Sequence, residues 1–254
     1  MNRRPTGLRP HPQSPRLWVR EEGDRTTRWT ETAGAPPAVY GERWEEWEGR
    51  AIRSFEPARS KLSAALARGW EGGLPRPGER WLYLGAASGT TASHVADLVG
   101  PRGAVYAVER SLRPFARLDL LANRWANLLP ILADARRPRD YLGLVPPVDG
   151  LYADIAQPDQ EAIVTENARF FLGDEGLLLL ALKGSSMGRG AAPSEHLRRV
   201  AGSLSERFAL APPVPLAPFH RAHYLIGGTP RGAGPRSGSL TVRPPRATRA
   251  RRRR

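Results

Sequence analysis

Glu79-Arg-Trp-Leu-Tyr-Leu-Gly-Ala-Ala-Ser-Gly-Thr-Thr-Ala-Ser-His-Val95 is the stretch from which the fold is read. It reads as an apolar strand from Trp81 to Leu84, a glycine turn from Gly85 to Gly89, and a helix opening at Thr90 or Thr91. Glycines let a backbone turn tightly and approach a ligand, and a helix start presents unpaired N–H groups. The spacing is not Gly-x-Gly-x-x-Gly, and many α/β domains carry a glycine turn after their first strand. Its meaning therefore depends on the residues beyond Val95.

Downstream, apolar strands alternate with helices. Strands are expected at Trp81–Leu84, Ala104–Val108, Leu128–Leu132, Val148–Ala153 and Leu177–Leu182, with a closing strand at His223–Ile226. Helices are expected at Thr91–Val99, Arg113–Ala126, Gln160–Leu172 and Ser194–Phe208, and a further one over Arg59–Arg68. Near-continuous apolar strands in such alternation indicate a parallel sheet covered by helices on both faces, an α/β fold. Ahead of it, Leu17 to Phe55 is aromatic and turn-rich. Segments around Leu17-Trp18-Val19, Trp29 and Val39 to Trp44 suggest a small antiparallel sheet.

The residues that end each strand carry the chemistry. They are Gly85-Ala-Ala-Ser-Gly89, Glu109, Asp134, Asp154-Ile-Ala-Gln157 and Lys183-Gly184. Ligands of open α/β sheets bind at the carboxyl ends of the strands, so these five sets converge on one edge. Glu109, at the end of the second strand, is placed to accept hydrogen bonds from both hydroxyls of an adenosine ribose, and Asp134-Ala135 to read an adenine edge. A dinucleotide favours a three-glycine fingerprint, and a nucleoside triphosphate wants Gly-Lys-Ser/Thr; neither is present. S-adenosylmethionine has no phosphates and needs a glycine turn only for its methionine portion, so it fits best.

Composition narrows the class. Cys is absent and the five His are scattered, which argues against disulfides and structural metal sites. The longest purely apolar run, Leu177 to Leu182, is far too short to span a bilayer, and no signal-peptide pattern opens the chain. A soluble intracellular protein is expected, cytoplasmic if the source is prokaryotic, with no membrane partner. The net charge of +14 is uneven: residues 1–20 hold five Arg and residues 231–254 nine, with no acid in either. Residues 21–230 then balance at 25 basic and 25 acidic. Such Arg-, Pro- and Gly-rich arms read as disordered, and suit either RNA or simple solubilisation.

Only two of the 39 basic residues are lysines, Lys61 and Lys183. Lysine is the cation that can surrender a proton, whereas arginine stays charged. Two lysines surviving in an arginine background are candidates for chemistry; chance survival is the alternative.

Leu84-Gly-Ala-Ala-Ser-Gly-Thr-Thr91, Val105-Tyr-Ala-Val-Glu109, Asp134-Ala-Arg136 and Ala153-Asp-Ile-Ala-Gln-Pro-Asp-Gln160 closely resemble fibrillarin and the archaeal fibrillarin-like RNA 2′-O-methyltransferases. Arg59-Ser-Lys-Leu62 looks like the helix preceding that family's catalytic domain, and the resemblance spans about residues 39–228. It implies a Rossmann-like S-adenosylmethionine-dependent methyltransferase fold with a small N-terminal β domain. The expected layout is a disordered basic arm (1–16), the β domain (17–55), the methyltransferase domain (56–229) and a disordered Arg-rich tail (230–254). It also implies a tetrad of Lys61, Asp154, Lys183 and His223. Lys183 would take the proton from a ribose 2′-hydroxyl, Asp154 orient that amine, and Lys61 and His223 hold the target nucleotide.

The implied cofactor residues are Gly85, Ala87, Gly89, Thr90, Thr91, Glu109, Arg110, Asp134, Ala135, Asp154 and Gln157, with no metal. Guide RNA, rRNA or tRNA substrate, a Nop-domain scaffold and a kink-turn-binding protein are the implied partners. Arg110 stands where the family usually has an aromatic residue, and Phe219-His-Arg-Ala-His223 leaves two histidines for one tetrad position. These departures sustain an alternative, a noncatalytic RNA-binding scaffold on the same fold. A second alternative, methylation of a base, would favour an Asn/Asp-Pro-Pro-aromatic signature where this chain has Asp154-Ile-Ala-Gln157.

Overall fold

The computed structural model describes residues 7–32, 38–184 and 193–232. Two sheets lie in chain order. The first is antiparallel: β1 (Arg9–His11), β2 (Ser14–Glu22), β3 (Arg25–Glu31), β4 (Trp44–Trp47) and β5 (Arg50–Ser54), ordered β1-β2-β3-β5-β4. A short helix, α1 (Lys61–Ala67), connects it to the second sheet.

That sheet contains β6 (Arg80–Leu84), β7 (Ala104–Glu109), β8 (Leu128–Leu132), β9 (Val148–Ala153), β10 (Leu172–Lys183), β11 (Phe208–Leu210), β12 (Val214–Pro215) and β13 (His223–Pro230). Its order is β11-β13-β10-β9-β6-β7-β8, with β12 beside β13. The pairs from β8 through β10 are parallel, and β13 runs antiparallel to β10. Between the strands lie α2 (Thr90–Val99), α3 (Leu112–Ala122), α4 (Gln160–Phe171) and α5 (Pro193–Ser205).

Period-two alternation explains why the strands are apolar throughout. Trp81 and Tyr83 face a core shared with α1, α2 and α3, while Leu82 and Leu84 face one shared with α4 and α5. The run Leu177 to Leu182 divides in the same way, odd positions to one core and even positions to the other. The chain moves outward from β6 to β7 and β8, then returns to place β9 on the other side of β6. This makes β6/β9 a topological switch point, the place where such sheets bind ligands.

Some sequence expectations need correction. Residues 9–16 are not a disordered arm but the β1–β2 ribbon. Its Arg16 donates to the Asp97 carbonyl at 2.6 Å and to Glu31 at 3.0 Å, and Gln13 donates to the Trp70 carbonyl at 2.7 Å. Composition read the prolines and arginines as solvated, whereas alternate residues Leu17 and Val19 are buried and pull the ribbon in. Residues 1–6 and 233–254, the remainder of the expected arms, lie outside the described residues. Instead of a strand over Val39–Trp44, the chain forms the β4–β5 hairpin, turned by Glu48 and Gly49 at φ 49° and 74°. β10 begins earlier than the apolar run because a register irregularity between Leu172 and Leu177 carries Asp174 and Glu175 within the strand. Helix α3 stops at Ala122, and α5 stops at Ser205 because Phe208 pairs with Pro230. Among the described residues no helix is long and apolar enough to cross a membrane.

The two sheets are locked together by a buried polar network. Arg53 donates to Asp97 at 2.7 Å, Glu42 at 3.0 Å and Ser93 at 2.9 Å, with its side chain and both carboxylates fully buried. His94 contacts the Thr30 hydroxyl at 2.9 Å and the Tyr40 hydroxyl at 2.8 Å. Burial, followed by the charge of Arg53, holds the His94 pKa well below its ordinary value. His11 is lowered to about 4 by burial and by Arg28 and Arg9. Unfolded histidine takes up a proton near pH 6.5, whereas these remain neutral when folded. Their contribution to stability is therefore full above that pH and is lost as pH falls below it. Melting temperature should rise from pH 4 to 6.5, and less steeply in His94→Gln; equal slopes in the two proteins would assign the dependence elsewhere.

Candidate functional site

Gly85 follows β6 with φ 77°, and a Cβ there would lie 2.6 Å from the carbonyl oxygen of Asp154, the residue after β9. Only glycine allows the two strand ends to close this tightly. Alongside them opens a cavity of about 320 Å³. Gly85, Ala87, Glu109, Arg110, Asp134, Ala135, Asp154 and Gln157, each singled out from the sequence, all line it. Ile155 and Ala156, from the same strand-end run as Asp154, line it too, as does Ser111, which the sequence did not single out.

Hydrogen bonds fix the acids that face this space. Glu109, nearly buried, accepts from the Ala87 amide at 2.9 Å and from the Ser111 amide at 2.7 Å. Ala87 adopts φ 49° to present that amide. Asp134 accepts from the Arg136 amide at 3.0 Å, and Arg110 approaches its other oxygen at 3.4 Å. Arg136 then reaches across to Gln157 at 2.7 Å and Asp159 at 2.9 Å, clamping the β9 loop. The clamp holds the Asp159 carboxyl below its usual range, chiefly through the hydrogen bond from Arg136.

The remaining glycine-turn residues do not line the cavity. Gly89 has φ 89°, and a Cβ on it would meet Leu121 at 2.5 Å, so its role is close packing of α2 on α3. Thr90 lines a separate cavity, and Thr91 is buried and donates to Ser60 at 3.1 Å. Spacing alone could not separate these roles, because all three residues are one turn away from the ligand loop.

Beside the cavity the two lysines meet the predicted acid and histidine. Lys61, at the start of α1, donates to both oxygens of Asp154, at 2.8 and 2.7 Å. Ser60 caps α1 by accepting from the Ser63 amide, and its contact with Thr91 ties that helix end to α2. Lys183, at the end of β10, is the direct cross-strand partner of His223 at the start of β13. Beneath Asp154, Tyr83 and Tyr152 stack at 4.7 Å, with both phenols pushed well above their ordinary value mainly by burial.

Burial likewise lowers the His223 pKa. The Arg221 carbonyl and Asp154 oppose that shift, while Lys61 and Lys183 add to it. Its Nδ1–H donates to the Arg221 carbonyl at 2.7 Å, which leaves Nε2 of the neutral ring as an acceptor. His220 instead spends its Nε2–H on the Pro57 carbonyl at 2.9 Å. It is a structural tie between β12–β13 and the segment before α1.

The chemistry of the cavity discriminates between ligands. The Ala87 amide, which a pyrophosphate would use, is already occupied by a carboxylate. Glu109, Asp134 and Asp154 together face the space against one Arg110. Such a lining repels phosphates and suits ribose hydroxyls, an amine and a cationic centre. Among the described residues no cluster of three metal-binding side chains occurs.

A sequence profile for fibrillarin matches residues 8–231. The chain belongs to the fibrillarin family. A fibrillarin-like rRNA/tRNA 2′-O-methyltransferase of Staphylothermus marinus is 48% identical over 189 residues, 74% of this chain and 81% of that one. A Giardia intestinalis rRNA 2′-O-methyltransferase fibrillarin is 40% identical over 228 residues, 88% and 69% of the two chains. Among solved structures, Aeropyrum pernix fibrillarin with natively bound S-adenosylmethionine superposes with a TM-score of 0.81 at 41% identity, covering 89% of this chain and 99% of that one. Fibrillarin from a fibrillarin/Nop5p complex gives 0.73 at 39% identity, covering 80% and 94%.

The family's turn makes a clear demand on Gly85. Gly85→Ala should destabilise the fold by about 1–3 kcal/mol. Calorimetry should also show at least a tenfold loss of affinity for S-adenosylmethionine. Unchanged affinity would mean that the close approach of β6 to β9 is not what shapes the cavity.

Proposed function

We propose that this protein is an S-adenosylmethionine-dependent RNA 2′-O-ribose methyltransferase, acting on rRNA, with tRNA as a second target class, within a guide ribonucleoprotein. The observation that carries this is the ion pair of Lys61 with Asp154, set against the acid-lined cavity and flanked by Lys183 and His223. Gly85, Ala87, Glu109, Asp134, Ala135 and Gln157 would hold the cofactor, which when bound supplies an electrophilic methyl group.

The protein's own residues then have an acceptor hydroxyl to position and deprotonate. Glu109 offers its remaining lone pairs to the cofactor ribose hydroxyls because its carboxylate is already oriented by two amides. Asp154 fixes the Lys61 ammonium, which is thereby aimed at the anionic backbone of the substrate. Lys183 takes the proton of the ribose 2′-hydroxyl, and His223, its cross-strand partner, packs beside that ribose. A second reading gives the proton to His223. The neutral ring, with its acceptor nitrogen free, favours it.

Partners follow from family membership. RNA is the substrate class, and a Nop-domain protein is the scaffold, in line with the solved fibrillarin/Nop5p complex. Box C/D guide RNA and a kink-turn-binding protein would select the target, which suits a body whose residues 21–230 balance in charge. The noncatalytic alternative is disfavoured by the intact Lys61–Asp154 pair.

The test is transfer of labelled methyl groups to RNA by the complex reconstituted with these partners, with and without guide, followed by mapping of the modified ribose. Lys183→Arg keeps the charge and removes the basicity, so kcat should fall by about 10²–10⁴ with cofactor affinity unchanged. Full activity in Lys183→Arg, with a comparable loss in His223→Gln, would give the proton to His223.

A further inference from the structure

The glycine turn has two sides. Gly85 and Ala87 face the acid-lined cavity, whereas Ser88 and Thr90, from the same turn, face a second cavity of about 400 Å³. Its lining includes Tyr40, Arg59, Arg117 and Arg124 and, among the described residues, no carboxylate-bearing side chain. The electrostatics of the two spaces are therefore opposite: three acids against one arginine in the first, three arginines in the second.

Each arginine comes from a different part of the chain. Arg59 precedes the capped start of α1, Arg117 projects from the exposed face of α3, and Arg124 follows that helix. Arg59 lies over the Tyr40 ring at 5.4 Å, and Tyr40 is itself anchored by donating its hydroxyl to the Ser54 carbonyl at 3.0 Å. Among the described residues no carboxylate lies within 4.0 Å of Arg59 or Arg117. Gly89, the N-cap of α2, supplies no side-chain cap, so the helix end adds unpaired N–H groups and a partial positive charge beside Ser88.

We infer that this second cavity binds a phosphodiester of the RNA strand next to the target ribose. The inference rests on the functional reading above. Arg59 stands two residues before Lys61, so a phosphate held there places its neighbouring sugar toward the Lys61–Asp154 pair. Guanidinium forks match phosphate oxygens, and the Tyr40 ring holds the Arg59 guanidinium in place. An acidic peptide would also meet the charge requirement, but not the adjacency to a site for ribose.

The experiment measures binding of a labelled single-stranded RNA oligonucleotide to the full chain over a range of salt concentrations. It compares the parent with Arg59→Gln, Arg117→Gln and the double variant. Each substitution should flatten the slope of log affinity against log salt by about 0.7. The double variant should bind about tenfold more weakly at low salt, while S-adenosylmethionine affinity stays the same. If Arg59→Gln fails to fold, Arg117→Gln, on an exposed helix face, carries the test alone.

An unchanged slope, with methyl transfer by the parent complex intact, overturns the phosphodiester site and leaves the proposed function standing. Failure of the parent complex to methylate ribose overturns the function itself. Inorganic phosphate and polyglutamate are the comparison probes. Loss of binding to either in the variants, with RNA binding untouched, would overturn the RNA assignment in favour of a free-anion or acidic-peptide site.

Discussion

Arg53 is the constraint on which the rest depends. Its guanidinium is withdrawn from water and answered by Asp97, Glu42 and Ser93, so one side chain from the small sheet is embedded in the helix that succeeds the glycine turn. Trp125 adds a donor to the second oxygen of Asp97 at 2.8 Å. Burying such charges is expensive, and removal of one partner leaves the others uncompensated at a cost of about 3–5 kcal/mol. The small sheet is therefore a docked part of the larger domain. The chain leaves β5 at Ser54 and enters α1 at Lys61, so this docking also sets where the Lys61 ammonium lies.

From there the site is a matter of charge placed at strand ends. β6 and β9 adjoin at the switch point, which brings Gly85 against Asp154. β10 and β13 adjoin antiparallel, which puts Lys183 opposite His223. Lys61 arrives from outside the sheet. Three different connections thus deliver groups to one place, and none of the pairings is local in sequence: Lys61 and Asp154 are separated by 93 positions. The lowered pKa of His223 follows from the same crowding, chiefly from burial, with Lys61 and Lys183 adding to it.

Much of this was legible beforehand. The strands of the parallel sheet announced themselves because both faces are buried, and an uninterrupted apolar run is the signature of that environment. Lysine scarcity singled out Lys61 and Lys183 because arginine can replace lysine as a charge but not as a base. The small sheet was harder to read. Its ribbon over residues 9–16 is held by Arg16 and Gln13 reaching distant carbonyls, and long-range hydrogen bonds of that kind leave no local pattern. Gly89, Thr90 and Thr91 were grouped with the ligand residues because the motif is contiguous. In space the turn rotates them away, toward α3, the basic cavity and Ser60 respectively. Nor could spacing show that His220 spends its Nε2–H on the Pro57 carbonyl and His223 its Nδ1–H on the Arg221 carbonyl.

The contact between Gly85 and Asp154 has a bearing on how such an enzyme could be altered. The backbone of the glycine turn and Asp154, which carries the Lys61 ion pair, are in touch, with no intervening layer to absorb a shift. Widening the acceptor side for a bulkier substrate would deform the donor side by the same displacement. Recognition of donor and of acceptor are thus mechanically one property here, and a redesign that treats them as separate modules would find them moving together.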